Sequence, residues 1–128
     1  MAARHKPRAK AGRAIPEVSG INGLYFDEPG AHNTEATLAR AAERAAQLGP
    51  TRVLIASASG ATGVAALRYF PGPDLVVVTH STGFAKPNDQ EFRPENRRLL
   101  EQAGASILTA QHAFGGVGRA VRKKLGTY

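Results

Sequence analysis

The sequence contains no cysteine. Disulfides, thiol nucleophiles and cysteine-ligated zinc or iron–sulfur sites are therefore excluded. It has no apolar run approaching the roughly 20 residues needed to cross a bilayer, and no apolar segment near the N-terminus that would make a secretory signal. The Arg-rich start is shared with organelle transit peptides, but Pro7 and the lack of a hydrophobic face weigh against that reading, and the expected location is the cytoplasm. Acidic residues are scarce at both ends. Residues 1–22 carry Arg4, Lys6, Arg8, Lys10 and Arg13 against Glu17, and residues 119–128 carry Arg119, Arg122, Lys123 and Lys124 with no acid at all. The basic first segment also lacks aromatic residues, which removes a stacking platform for single-stranded nucleic acid.

What is present describes one ordinary globular domain. The chain has 128 residues, 42% hydrophobic and 21% charged, with a net charge of +7. That size supports a single modest core. Residues 23–118 hold eight basic and nine acidic side chains, so the basic excess belongs to the ends. Such ends attract nucleic acid or anionic surfaces non-specifically. The poverty of buriable side chains in residues 1–22 predicts a disordered basic tail, leaving 23–128 as one domain.

Residues 23–26, Gly-Leu-Tyr-Phe, read as a short strand ended by the turn sequence Asp27-Glu28-Pro29-Gly30. A helix is predicted over 34–48, with Asn33 as N-cap, Glu35 in the first turn and Gly49-Pro50 as the stop. Leu38, Ala41 or Ala42, Ala45 and Leu48 recur at the spacing of one buried face. A strand over 52–56 then runs into the turn 57–62, and a helix ends near Phe70 before Pro71-Gly72-Pro73. The third strand, 74–79, contains Leu75-Val76-Val77-Val78, a continuous apolar run that predicts burial on both faces. A loop of about fourteen residues follows, 80–93, a length that is often functional. Pro94 suits the first position of a helix over 95–103. A fourth strand over 105–109, a loop over 111–116 and a basic helix over 117–125 complete the order.

Strands alternating with helices in this way predict a three-layer α/β/α sandwich on a mostly parallel, four-stranded sheet. Ligands bind such sheets beyond the C-terminal ends of the strands. The loops leaving those ends hold His32, His80 and His112 and most of the Ser, Thr and Gly. Ser59-Gly60-Ala61-Thr62-Gly63 resembles part of a dinucleotide fingerprint. It follows the second strand, however, and the next strand ends in Thr79-His80 without the acid that would hold a ribose. An NAD(P) site is thus the alternative, not the first choice. The motif has neither the Gly-Lys-Ser/Thr of a P-loop nor the Gly-x-Ser-x-Gly of a nucleophile elbow. Ser57, Ser59 and Thr62 either cap a helix or cradle a phosphate with the backbone N–H groups. The histidines lie on separate loops without metal-ligand spacing; His80 or His112 is the candidate general acid–base. Lys86, Arg93 and Arg119 are candidate phosphate partners, and Phe84, Tyr25 and Phe114 candidate stacking surfaces.

Three blocks carry a resemblance: Tyr25-Phe26-x-x-Pro-Gly-x-x-Asn-Thr-Glu-x-Thr-Leu, Ala56-Ser57-x-x-Gly60-x-Thr62, and Val76-Val77-Val78-Thr79-x-x-Thr82-Gly83-Phe84. Together with Gln111-His112 and Arg122-Lys123-Lys124-Leu125-Gly126, they make residues 24–126 similar to the stand-alone proteins resembling the C-terminal α/β domain of pyruvate kinase. The resemblance implies a three-layer α/β/α fold and bound flavin mononucleotide (FMN), with no established reaction. It implies that Ser57, Ser59, Gly60 and Thr62 hold the phosphate, and that Thr79, Thr82, Gly83, Phe84, Gln111 and His112 approach the rest of the ligand. Family members continue past the Lys-Leu-Gly near Leu125. Relative to the family, the resemblance therefore implies either that the chain is a fragment or that a second copy or a partner chain covers the open sheet edge. The expected function is binding of a small phosphate-containing ligand, FMN first; the alternatives are a nucleic-acid-associated protein acting through its basic ends and an NAD(P)-binding protein.

Overall fold

Alanine-rich sequence at helical spacing forms α1, Thr34–Leu48. Its inward positions are Leu38, Ala42, Ala45 and Leu48, while Ala41 faces out. Gly49 ends it in the left-handed region (φ 61°), its N–H donating to the Ala45 carbonyl at 2.8 Å, the arrangement that glycine enters without steric cost. The N-terminus departs from expectation. Asn33 occupies the cap position but makes no side-chain cap bond; its Nδ2 donates to the Glu28 carbonyl at 2.7 Å. A 3-10 turn over Ala31–Asn33 leads into the helix instead, and Thr37 Oγ1 donates back to the Asn33 carbonyl at 2.9 Å.

The computed structural model describes residues 23–111 and 115–126. The expectation of a disordered tail over 1–22 falls outside them. After α1 come β1 (Val53–Ala56), α2 (Ala61–Ala66), β2 (Leu75–Thr79), α3 (Pro94–Gln102), β3 (Ser106–Thr109) and α4 (Gly115–Leu125). The protein is thus mixed α/β, with an open sheet of three parallel strands in the order β1-β2-β3.

The expected first strand at residues 23–26 does not form. Tyr25 is 93% exposed, and Leu24 and Phe26 are also exposed, at 44% and 41%. A short extended segment gains nothing from the strand conformation without a ladder partner. Here the turn that follows is tied to the start of α1 through Asn33, not to a sheet edge.

One face of the sheet is buried. Leu75, Val77 and Thr79 of β2 align with Val53 and Ile55 of β1 and with Ile107 and Thr109 of β3. On this face Leu75 and Val77 cluster with Leu38 of α1, Ala66 of α2 and Leu100 of α3. Gly63 lets α2 approach closely: a Cβ there would stand 2.9 Å from a Val77 methyl. Among the described residues the opposite face is less covered, so the even burial of both faces expected from the apolar run is not seen: Val76 and Val78 are only half-buried. Leu54 is 66% exposed and Leu108 47%. Two right-handed crossovers stepping the same way along a sheet place both connecting helices on one side, and α2 and α3 obey that geometry.

Glu35 ties α1 to the end of α2, paired with the Arg68 guanidinium and accepting a hydrogen bond from the Tyr69 hydroxyl at 2.8 Å. That hydrogen bond, then partial burial, then the Glu35 charge, raise the Tyr69 pKa above its ordinary 10.0, and Arg68 opposes them. A raised pKa favours the fold while the unfolded tyrosine is still protonated, and that advantage is lost as pH rises through and beyond 10.0. Ultraviolet titration of tyrosinate should show Tyr69 ionising later in the wild type than in Glu35→Gln. Identical curves would remove the link.

Candidate functional site

All three strands end along one edge, and two of the following loops close around it. Thr79, at the end of β2, is buried; its Oγ1 donates to the His80 carbonyl at 2.7 Å and meets Thr109 Oγ1 at 2.8 Å. Because that Thr79 proton is committed, Thr109 is the donor of the pair. The threonines thus join the ends of β2 and β3 side by side.

The long loop over 80–93 folds back on itself. Gln90 Nε2 donates to the His80 carbonyl at 3.1 Å, and Gly83 N donates to the Asp89 carbonyl at 2.8 Å. Gly83 itself lies at φ 80°, which explains a glycine at that turn. The fold-back brings Glu91 Oε2 to 2.8 Å from His80 Nδ1. An ionised carboxylate accepts only, so Nδ1 is the donor of this pair and Nε2 is the ring nitrogen that Glu91 does not engage. The His80 ring stacks on Phe84 with centroids 4.0 Å apart. From α4, the Arg119 guanidinium lies over the same Phe84 ring at 4.4 Å, within the range of a cation–π contact.

A crevice of about 160 Å³ opens between these parts. Thr79, His80, Ser81 and Phe84 line it from β2 and the long loop; Gln111, Gly115, Gly116 and Arg119 line it from the β3 exit and α4. Gly116 fits because a Cβ there would come within 2.7 Å of Gln111 Oε1. A second hollow of about 380 Å³ adjoins it, sharing Phe84, Gly115 and Arg119 and adding Gly118 and Arg122. The two together form a bilobed cleft, one lobe aromatic and hydroxyl-lined, the other basic.

The ten residues singled out from sequence are divided by the fold. Thr79, Phe84 and Gln111 share the crevice. Thr82 and Gly83 belong to the same loop, with Thr82 Oγ1 accepting from Gln90 Nε2 at 3.4 Å, but neither lines the crevice. His112 lies outside the described residues, as does Phe114. Ser57, Ser59 and Gly60 sit at the joint between β1 and α2. The Ser57 N–H donates to the Val78 carbonyl at 2.9 Å, and the Ser59 carbonyl accepts from Arg93 N at 3.1 Å and Asn96 Nδ2 at 2.9 Å. Gly60 is buried at φ 89°, where a Cβ would stand 2.7 Å from Asn96 Cβ. Thr62 faces a separate hollow of about 170 Å³ with Asn33, Thr34 and Thr37.

Of the other candidates, Tyr25 borders a different hollow with His32, and Lys86 is exposed. Glu91, Ser81, Gly115 and Gly116 were not singled out from sequence. The signal for Glu91 was a carboxylate at the far end of a loop that starts with His80. The sequence matches no model of a known protein family.

The 57–62 joint yields a test. Asn96→Ala removes one partly buried hydrogen bond and should cost about 1 kcal/mol. Gly60→Ala forces a strained φ and a clash, and should cost about 2 kcal/mol. Urea unfolding that ranked the two the other way would contradict this packing.

Proposed function

We propose that the protein binds a small planar ligand carrying a phosphate, with FMN the leading candidate, in the bilobed cleft at the C-terminal edge of its sheet. One observation carries the reading. An aromatic lobe built on Phe84 and His80 is joined through Arg119 to a basic lobe containing Arg122. A flat ring system suits the first lobe, where Ser81 and Gln111 supply polar groups over a floor set by Thr79. A phosphate suits the second, where guanidinium groups give charge-assisted, bidentate hydrogen bonds. The cleft sits where ligands bind open parallel sheets.

What supports this phosphate seat over the 57–62 turn is the state of that turn. Gly60 is buried against Phe92 and Asn96, and the Ser59 carbonyl is already held by two donors. The resemblance to the pyruvate kinase C-terminal domain, with its three-layer fold, is part of the same proposal. The open sheet edge leaves room for the further strand that such a fold requires.

His80, oriented by Glu91, stands at the crevice wall as the group able to take or give a proton to a bound ligand. Binding alone does not require it.

Titration of the protein with FMN, followed by quenching of flavin fluorescence, is expected to saturate in the micromolar range, about −8 kcal/mol. Arg119→Ala should weaken binding about tenfold, or about 1.4 kcal/mol, and riboflavin, which lacks the phosphate, should lose a similar amount. No saturation below about a millimolar, or riboflavin binding as tightly as FMN, would overturn the reading.

A further inference from the structure

The two lobes of the cleft are mismatched to one ring and one phosphate. The aromatic lobe holds about 160 Å³ and the basic lobe about 380 Å³, although a planar ring system is larger than a single phosphate group. The surplus room lies on the basic side.

The wall of that lobe shows how the room arises. At 3.6 residues per turn, Gly115, Gly118, Arg119 and Arg122 project within an arc of about 100° of α4, and all four line the hollow. Gly116 is needed to clear Gln111, but Gly118 has no such packing reason. A Cβ there would meet nothing within 4 Å, and its backbone belongs to the helix. Glycine weakens a helix relative to alanine. What Gly118 provides in return is open space on the turn before Arg122, four residues on and on the same face.

The two guanidinium groups stand in series along that wall. Arg119 is held over Phe84, 4.4 Å from the ring centroid, so it meets a ligand where ring gives way to phosphate. Arg122 follows about 4.5 Å further along the helix axis. A guanidinium grips one phosphate group through two parallel hydrogen bonds. Two of them in series, with open space beside the second, suit two linked phosphates. No acidic side chain lines either lobe to repel the added charge, and none follows Glu101 in the chain.

We infer that the cleft is built for a diphosphate ester of a planar group, with Arg119 seating the first phosphate and Arg122 the second. This rests on the ring-and-phosphate reading of the cleft and adds one seat to it. FMN then fills the cleft only in part.

The test compares FMN with flavin adenine dinucleotide (FAD), which carries the same ring on a diphosphate, by equilibrium dialysis against the full chain. FAD should bind about tenfold more tightly than FMN. Inorganic pyrophosphate should displace FMN at about a tenth of the concentration that phosphate needs, which separates the second phosphate from any contribution of the adenosine. Citrate, a polyanion of similar charge without the linked phosphates, should displace it no better than phosphate. Arg122→Ala should cut the preference for FAD to about twofold or less. Gly118→Leu, which fills the space beside Arg122, should do the same with unchanged circular dichroism. FMN binding as tightly as FAD, citrate matching pyrophosphate, or either variant keeping the full preference would overturn the second seat while leaving the ring-and-phosphate reading in place. Neither flavin binding below about a millimolar would overturn both.

Discussion

The fold depends on how closely α2 and α3 press onto β2. Leu75, Val77 and Leu100 are fully buried together. That contact exists because residue 63 is glycine, with only van der Waals room between the α2 backbone and the Val77 methyls. Interiors packed this tightly do not absorb even one methylene without shifting. The position of β2 is therefore held from one side, and everything at its C-terminal end inherits that precision. Thr79, the last residue of the strand, is buried by the same packing and sets the floor of the crevice. The joint at Ser59 and Gly60 locks α2 to the start of α3, so the two helices form one support behind the sheet.

One-sided support has a second consequence. With α2 and α3 on the same side, the other face of the sheet keeps Leu54 and Leu108 in solvent, while the loops at the strand ends remain free to shape a cleft. The long loop uses that freedom. Its internal hydrogen bonds hold His80, Glu91 and Phe84 in one cluster, and Arg119 arrives from α4 to stack on Phe84. The His80 ring at 4.0 Å and the Arg119 guanidinium at 4.4 Å from Phe84 mark the centre of the cleft, between the aromatic, hydroxyl-lined lobe and the basic one.

Much of this was legible in the sequence. The periodicity of Leu38, Ala42 and Ala45, with Gly49 behind them, specifies α1 to the residue, and the apolar runs at Val53 and Leu75 specify β1 and β2. Parallel pairing follows from the alternation of strands with helices. Residues 23–26 have strand-forming side chains but no partner, and pairing is a tertiary event that a tetrapeptide does not encode. The run Leu75-Val76-Val77-Val78 reads as buried on both faces, yet which face receives helices depends on the direction of successive crossovers, not on hydropathy. In the candidate site, Thr79 and Gln111 were named through the family resemblance and Phe84 also as a stacking surface at the same edge; the fold brings the three to one crevice. That the 57–62 turn packs under Asn96 and Phe92 was not legible, because the contact joins residues more than thirty apart. Glu91 was hidden for the same reason on a shorter scale.

The proposed ligand site is the cleft between the long loop and α4. Backbone amide shifts recorded during an FMN titration test it most directly, since they map contact without assuming any activity. Shifts should concentrate at residues 79–84, at Gln111 and at residues 115–119, and saturate together. Shifts confined to residues 57–62 and the start of α1, or none at millimolar flavin, would contradict it.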